Sequence, residues 1–171
     1  MTPQELEQYL HRNIPLSRAM EVRVPAADER RVVLAAPLEP NINHRDTLFG
    51  GSAAAVATLA AWSLLYLRLL RDGIDARLVI HRNTMEYKRP IAGEFTATAR
   101  LDDEAAWEQF VTTLRRRGKA RIRVASVLHA VQNGLYGAAA AGGEAGLFEG
   151  DFVALANAPQ EAGAGFSASA R

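Results

Sequence analysis

The sequence contains no cysteine. That excludes disulfide stapling, thiolate catalysis and cysteine-ligated metals together. Histidine is scarce as well. The four histidines, His11, His44, His81 and His129, lie far apart with no ligand spacing, so no zinc site and no cofactor is expected. Net charge is nearly absent, at +1, so no global field points to nucleic acid. The longest apolar run, Ser52 to Leu67, falls short of the roughly 20 residues of a membrane span and is followed by Arg68 and Arg71. It reads as a helix buried on nearly every side, with no membrane partner. The opening residues Met-Thr-Pro-Gln-Glu-Leu-Glu lack the basic-then-apolar order of a secretory signal, so a cytoplasmic location is expected.

What remains is ordinary for a soluble domain. The chain has 171 residues, 49% hydrophobic and 23% charged, enough for one domain with a real core. Thr2-Pro3-Gln4-Glu5 has the form of a capping box with proline at the first helical position. Leu6, Tyr9 and Leu10 follow at helical spacing, and Pro15 comes after the end. Met20, Val22 and Val24 alternate as a half-buried strand does; Pro25 to Glu29 reads as a turn, and Arg31 to Ala36 as the partner strand. A turn-rich loop runs from Pro37 to Phe49. Gly50-Gly51-Ser52 opens the apolar helix, which Asp72-Gly73 closes.

The second half is mainly strands. Arg77 to Arg89 is β-rich and stops at Pro90, and Gly93 to Leu101 alternates with Phe95, Ala97, Ala99 and Leu101 on one face. Asp102 or Asp103 can cap a helix in which Trp107, Phe110, Val111 and Leu114 share a face. Ala120, Ile122, Val124, Ser126 and Leu128 mark another strand, and Leu147 to Leu155 the last. An alanine–glycine insert near 135–146 and a tail over 158–171 are expected to be unstructured, leaving one domain over 1–157. Alternating strands imply a sheet with a wet and a dry face, and the long apolar helix must be covered by the dry one. The fold class expected is α+β, a curved antiparallel sheet wrapped around a long central helix.

Three stretches carry a resemblance. Asn41-Ile-Asn43-His-Arg-Asp-Thr47-Leu-Phe49-Gly50-Gly51-Ser52, Tyr87-Lys-Arg-Pro90-Ile-Ala-Gly93 and Leu147-Phe-Glu-Gly-Asp-Phe-Val-Ala-Leu155 resemble hotdog-fold acyl-thioester enzymes. The sequence is most similar to the thioesterase family named after the C-terminal domain of YiiD, a group that includes malonyl-acyl-carrier-protein decarboxylases. The resemblance spans roughly residues 4–157 apart from the insert and implies a single hotdog domain. In related thioesterases an asparagine is followed six residues later by His-Gly-Gly and a helix. Asn43 matches that asparagine and Gly50-Gly51 the glycine pair, while Phe49 replaces the histidine. The catalytic carboxylate of those enzymes falls at Ala57 or Thr58, so the acid is missing.

A helix N-terminus presents free N–H groups and partial positive charge, and glycine lets a ligand approach closely. Gly50 or Gly51 can therefore donate to a thioester carbonyl oxygen, with the Asn43 amide as a second donor. Asn43 could equally cap a turn in its loop, and a glycine pair before a helix could simply permit tight packing. Hydrolysis needs a base or a nucleophile, yet no Asp or Glu lies between Thr47 and Arg71. Thr58 can position a water or relay a proton, or merely pack. Decarboxylation of a malonyl thioester needs only donors at the carbonyl oxygen and a weakly solvated carboxylate.

Ser52, Ala54 and Phe49 are expected beside the pocket. His44 is weighed as an acid or base against an exposed loop residue. Tyr87, Lys88 and Arg89 are placed on the channel for a phosphopantetheine arm, or on a solvated strand end. Arg115-Arg116-Arg117 with Lys119 could draw an acidic carrier protein or coenzyme A phosphates, or be a solvated turn. The leading expectation is a malonyl-acyl-carrier-protein decarboxylase serving fatty acid synthesis. An acyl thioesterase and a non-catalytic acyl-binding domain are the alternatives. The expected partners are acyl carrier protein or coenzyme A, and the resemblance implies a homodimer at least, with the tetramer left open.

Overall fold

The computed structural model describes residues 1–131 and 143–157. It opens with α1, Pro3–Asn13, where the expected capping box is formed: the Thr2 N–H donates to the Glu5 carboxylate and the Glu5 N–H to Thr2 Oγ1. Leu6 and Leu10 are fully buried. Pro15 does more than follow this helix. It begins a second short one, α2, Pro15–Ala19, because proline at the first helical position gives up no hydrogen bond.

β1 covers Arg23–Ala27 and β2 Arg31–Ala36. Pro25 therefore lies inside a strand, contrary to the expected turn over 25–29. It is tolerated because β1 is an edge of the sheet, where a missing N–H leaves no ladder partner unsatisfied. The turn sits later, at Asp28, whose carboxylate accepts from the N–H of Arg30 and of Arg31 at 2.8 Å each.

The central helix α3 is Gly50–Arg71, 22 residues, opening at the glycine pair and ending before Asp72-Gly73 as expected. By length and composition it could cross a bilayer, but 67% of its most apolar window is buried inside the fold. β3, Ala76–Tyr87, follows the left-handed Gly73. β4 is Phe95–Arg100 and α4 is Glu104–Arg117, capped by Asp103 and closed by the left-handed Gly118. β5, Lys119–Ala130, and β6, Glu144–Ala156, complete the sheet. β6 begins earlier than expected, so residues 144–146 of the alanine–glycine stretch are strand: Gly146 pairs with Leu128 on one side and Tyr87 on the other. The rest of that insert up to residue 142, and the tail over 158–171, lie outside the described residues.

The strands form one antiparallel sheet in the order β1-β2-β4-β5-β6-β3. Its inner face carries Val32, Leu34, Phe95, Ala97, Ile122, Val124, Leu128, Phe148 and Phe152, all buried in the same core as α3. This is the hotdog arrangement: a curved sheet around a central helix.

The far end of α3 is locked to α4. Arg68 is fully buried, with its guanidinium 4.6 Å from the centroid of the Trp107 ring. It donates to the Leu101 carbonyl at 3.1 Å and pairs with Glu104. Trp107 in turn donates its indole N–H to Asp72 at 2.8 Å. The neighbouring Arg71 holds the Asp72 carboxyl below the usual carboxylate range, and the Trp107 bond acts in the same direction. A cation without water is tolerated here because a ring face, a carbonyl and a carboxylate replace its hydration.

Candidate active site

The loop before α3 is built on two asparagines. Asn41, in a 3-10 turn over Glu39–Asn41, is buried, and its amide donates to the carbonyls of Met20 at 2.9 Å and Pro37 at 2.8 Å. Its own carbonyl accepts from the Phe49 N–H at 2.7 Å. Asn41 thus fixes where the helix begins. The sequence reading missed this anchoring role, since a buried asparagine carries no periodic signal. Asn43 closes the turn that follows: Nδ2 donates to Thr47 Oγ1 at 3.0 Å and to the Leu48 carbonyl at 3.2 Å, and Oδ1 accepts from the Arg45 N–H at 2.8 Å. The amide expected to face a substrate is engaged within its own loop. It reaches a ligand only by giving up one of these bonds.

Phe49 is the residue before the helix and supplies no side-chain cap. The first helical N–H to find a carbonyl is that of Ala53, which reaches Phe49 O at 3.0 Å. The N–H groups of Gly50, Gly51 and Ser52 therefore point out of the helix end, toward its positive pole. The 22-residue apolar helix thus presents its N-terminal pole here without a side-chain cap.

A cavity of about 440 Å³ opens at that point, lined by Leu48, Gly50, Gly51, Ala53, Tyr87–Ile91, Leu128 and Ala145. Its walls are largely apolar, and no Asp or Glu lines it among the described residues. Gly51 is the more tightly held of the two glycines, and Gly50 has room for a Cβ after a small shift of its neighbour. A Cβ on Gly51 would lie 2.3 Å from the Phe49 ring, and one on Gly50 3.3 Å from the Tyr87 ring. Tyr87 Oη donates to the Gly50 carbonyl at 2.9 Å. At the rim Lys88 pairs with Glu144 at 2.7 Å, and Arg89 donates to the Glu144 carbonyl at 2.8 Å. The hydrogen bond from Lys88 to Glu144 lifts the lysine above its usual value.

Of the residues singled out in the sequence, Gly50, Gly51, Tyr87 and Arg89 come together around this cavity. Asn43, His44, Phe49, Ser52, Ala54 and Thr58 do not line it. Phe49 lies over Gly51 on the solvent side, 54% exposed, and His44 is exposed on the loop. Thr58 Oγ1 donates to the Ala54 carbonyl at 2.8 Å, the ordinary bond of a helical threonine to the preceding turn. Both sit on a half-buried stripe of α3 that continues through Trp62 and Tyr66, away from the cavity. Among the described residues His129 is the buried imidazole nearest to this wall in sequence, following the cavity residue Leu128. It faces the other side of the sheet, opposite Thr96 and Glu144, so it does not reach the cavity. Burial pushes its imidazole below the usual value, with Glu144 acting in the opposite direction.

Residues 3–156 match the family described as "Putative thioesterase (yiiD_Cterm)". The chain belongs to that family. Solved structures agree with the membership. A Chlorobaculum tepidum protein of unknown function, OLEI01261, is 29% identical with a TM-score of 0.82, covering 91% of this chain and 98% of its own. A Shewanella oneidensis protein described as a "putative thioesterase" is 24% identical at a TM-score of 0.74, covering 90% and 96%. The Pseudomonas aeruginosa protein PA5026, a "Probable Thioesterase", is 22% identical at 0.73, covering 91% and 97%. The last two share the fold. As a member of the YiiD C-terminal-type family, this chain is placed among proteins that act on thioesters, with its cavity at the glycine end of the central helix.

Proposed function

We infer that the protein decarboxylates a malonyl thioester, held on acyl carrier protein or coenzyme A, to the acetyl thioester. The observation that carries this reading is the start of α3, without a side-chain cap, opening on a largely apolar cavity with no Asp or Glu among the described residues that line it. In the reaction the bond between the α-carbon and the carboxylate breaks and CO2 leaves. The electron pair moves into the thioester, placing negative charge on the carbonyl oxygen. The Gly50 and Gly51 N–H groups stabilise that oxygen. Apolar walls from Leu48, Ile91 and Leu128 keep the departing carboxylate poorly solvated, which favours its loss. A proton from water then completes the methyl group. Asn43 serves by holding the 43–48 turn, and Tyr87 and Arg89 border the path of the acyl handle. The acetyl thioester made in this way can start fatty acid synthesis.

Thioester hydrolysis is the second reading, favoured by the description of the family. It needs a base, and no Asp, Glu or His is among the described residues that line the cavity. Incubation with malonyl-acyl carrier protein and with malonyl-coenzyme A separates the two. The expected result is CO2 with the thioester intact. Release of free malonate and thiol overturns decarboxylation.

The reading includes a homodimer. Among the described residues β3 is an edge of the sheet, twelve residues long. Beside it lies the half-buried stripe of Thr58, Trp62 and Tyr66, and Trp62 reaches β3 by donating to the Leu78 carbonyl at 3.2 Å. Long open edges are rarely left unpaired, and two copies of one antiparallel edge pair about a two-fold axis. Sedimentation equilibrium is expected to give twice the chain mass. A monomer under assay conditions removes the dimer from the proposal.

A further inference from the structure

Tyr87 touches the site in a way that its place on a channel wall does not explain. Its hydroxyl donates to the carbonyl of Gly50, at the first position of α3. That carbonyl belongs to the same peptide unit as the Gly51 N–H. The peptide is trans, so its C=O and N–H point in opposite directions across one rigid plane. Whatever fixes and polarises the carbonyl therefore aims and polarises the N–H. Hydrogen bonds in such a chain strengthen one another.

We propose that Tyr87 is a positioning residue: through the Gly50–Gly51 peptide it orients the Gly51 N–H and makes it a stronger donor to the thioester oxygen. This rests on the reading of that N–H as an oxyanion donor and adds the group that tunes it. The structure supplies the other requirements. Tyr87 ends β3, so its position is set by a strand paired along its length with β6. Its side chain is 59% exposed, but its ring stands beside Gly50, 3.3 Å from where a Cβ would be, and the hydroxyl is tied to the carbonyl. The ring and both glycines line one cavity, so the tuned donor and the ligand meet. On the other side the Phe49 ring lies beside Gly51, 2.3 Å from where its Cβ would stand.

The test compares wild type, Tyr87→Phe, and protein carrying 3-fluorotyrosine at position 87, a more acidic phenol of nearly the same shape. Turnover is measured with malonyl-acyl carrier protein. The strength of the donor is read from the infrared carbonyl stretch of bound acetyl-coenzyme A labelled with 13C at the thioester carbon. An effect of 10–30% on a donor worth about 10²–10³ in rate predicts that Tyr87→Phe lowers kcat about 2- to 8-fold, with KM within about 2-fold. The carbonyl band is expected to shift less from its solution position in Tyr87→Phe than in wild type. Fluorotyrosine is expected to restore or exceed both wild-type values.

A Tyr87→Phe protein with unchanged kcat and unchanged band overturns the proposal while leaving the oxyanion reading intact. A rise in KM alone, with the band unmoved, assigns Tyr87 to binding and also overturns it. Wild type that neither shifts the band nor releases CO2 removes the oxyanion reading, and this proposal with it.

Discussion

Gly50→Pro is expected to lower kcat for decarboxylation about 10²–10³-fold, the usual cost of one oxyanion donor, while the melting temperature holds or rises. Proline is welcome at the first position of a helix, where its missing N–H has no carbonyl partner anyway. The residue before it must be extended, and Phe49, at φ −67° and ψ 129°, already is. The substitution therefore removes one N–H from the cavity with little disturbance of the helix. Gly50→Ala is the control, since it adds the same Cβ 3.3 Å from the Tyr87 ring but keeps the N–H. It is expected to lose no more than about a tenth of the proline variant's effect in log units. Steady-state CO2 release and thermal melts on both proteins decide the matter. A proline variant that retains a third of wild-type turnover would remove Gly50 from the oxyanion site.

The second large effect lies at the other end of the helix. Trp107→Ala is expected to destabilise the fold by about 3–5 kcal/mol, as buried tryptophan truncations do. Trp107 is 2% exposed and has three partners: the Phe110 ring at 5.2 Å, the Asp72 carboxylate, and the Arg68 guanidinium. Removing the indole leaves Arg68 buried without its ring face. That adds the cost of a poorly solvated charge to the cost of the cavity. Arg68→Met in the same background should recover part of the loss, because an apolar side chain tolerates the dry site. Urea unfolding followed by circular dichroism measures all three proteins. A loss below about 1 kcal/mol in Trp107→Ala would mean that the site collapses freely and that Arg68 finds water.

Most of the fold could be read from alternation and capping, because both are local and repeat. The strand carrying Ala120, Ile122, Val124, Ser126 and Leu128 buries all five, and Phe95, Ala97, Ala99 and Leu101 share a buried face as expected. The exceptions involve residues whose meaning depends on neighbours distant in sequence. Pro25 reads as a turn unless β1 is known to be an edge. Gly146 reads as part of a loose insert. In the sheet it sits where a Cβ would stand 2.9 Å from the Glu86 carbonyl, so the strand needs a glycine there.

The site was legible in part. A glycine pair opening an apolar helix is a sequence signal, and the cavity lies there. The lining role of Tyr87 came from its motif, but its bond to Gly50 spans 37 positions of sequence and could not be read locally. Thr58 was expected beside the glycines because of its place on α3. It shares the i, i+4 stripe of Gly50, Ala54 and Trp62 but stands eight residues, about 12 Å, along the helix from Gly50, beyond the cavity. Asn43 matched its motif position, yet its hydrogen bonds depend on the path of the loop, which the sequence alone does not trace.

The length of α3 has a further consequence. Gly50 and Arg68 are eighteen residues apart on one straight element, a separation of about 27 Å. Substitutions at such distances add independently. Selection can therefore rework the glycine end, gaining or losing an acidic side chain there, while the arginine–tryptophan clasp keeps the domain folded. The end that meets a ligand and the end that secures the fold can thus change separately.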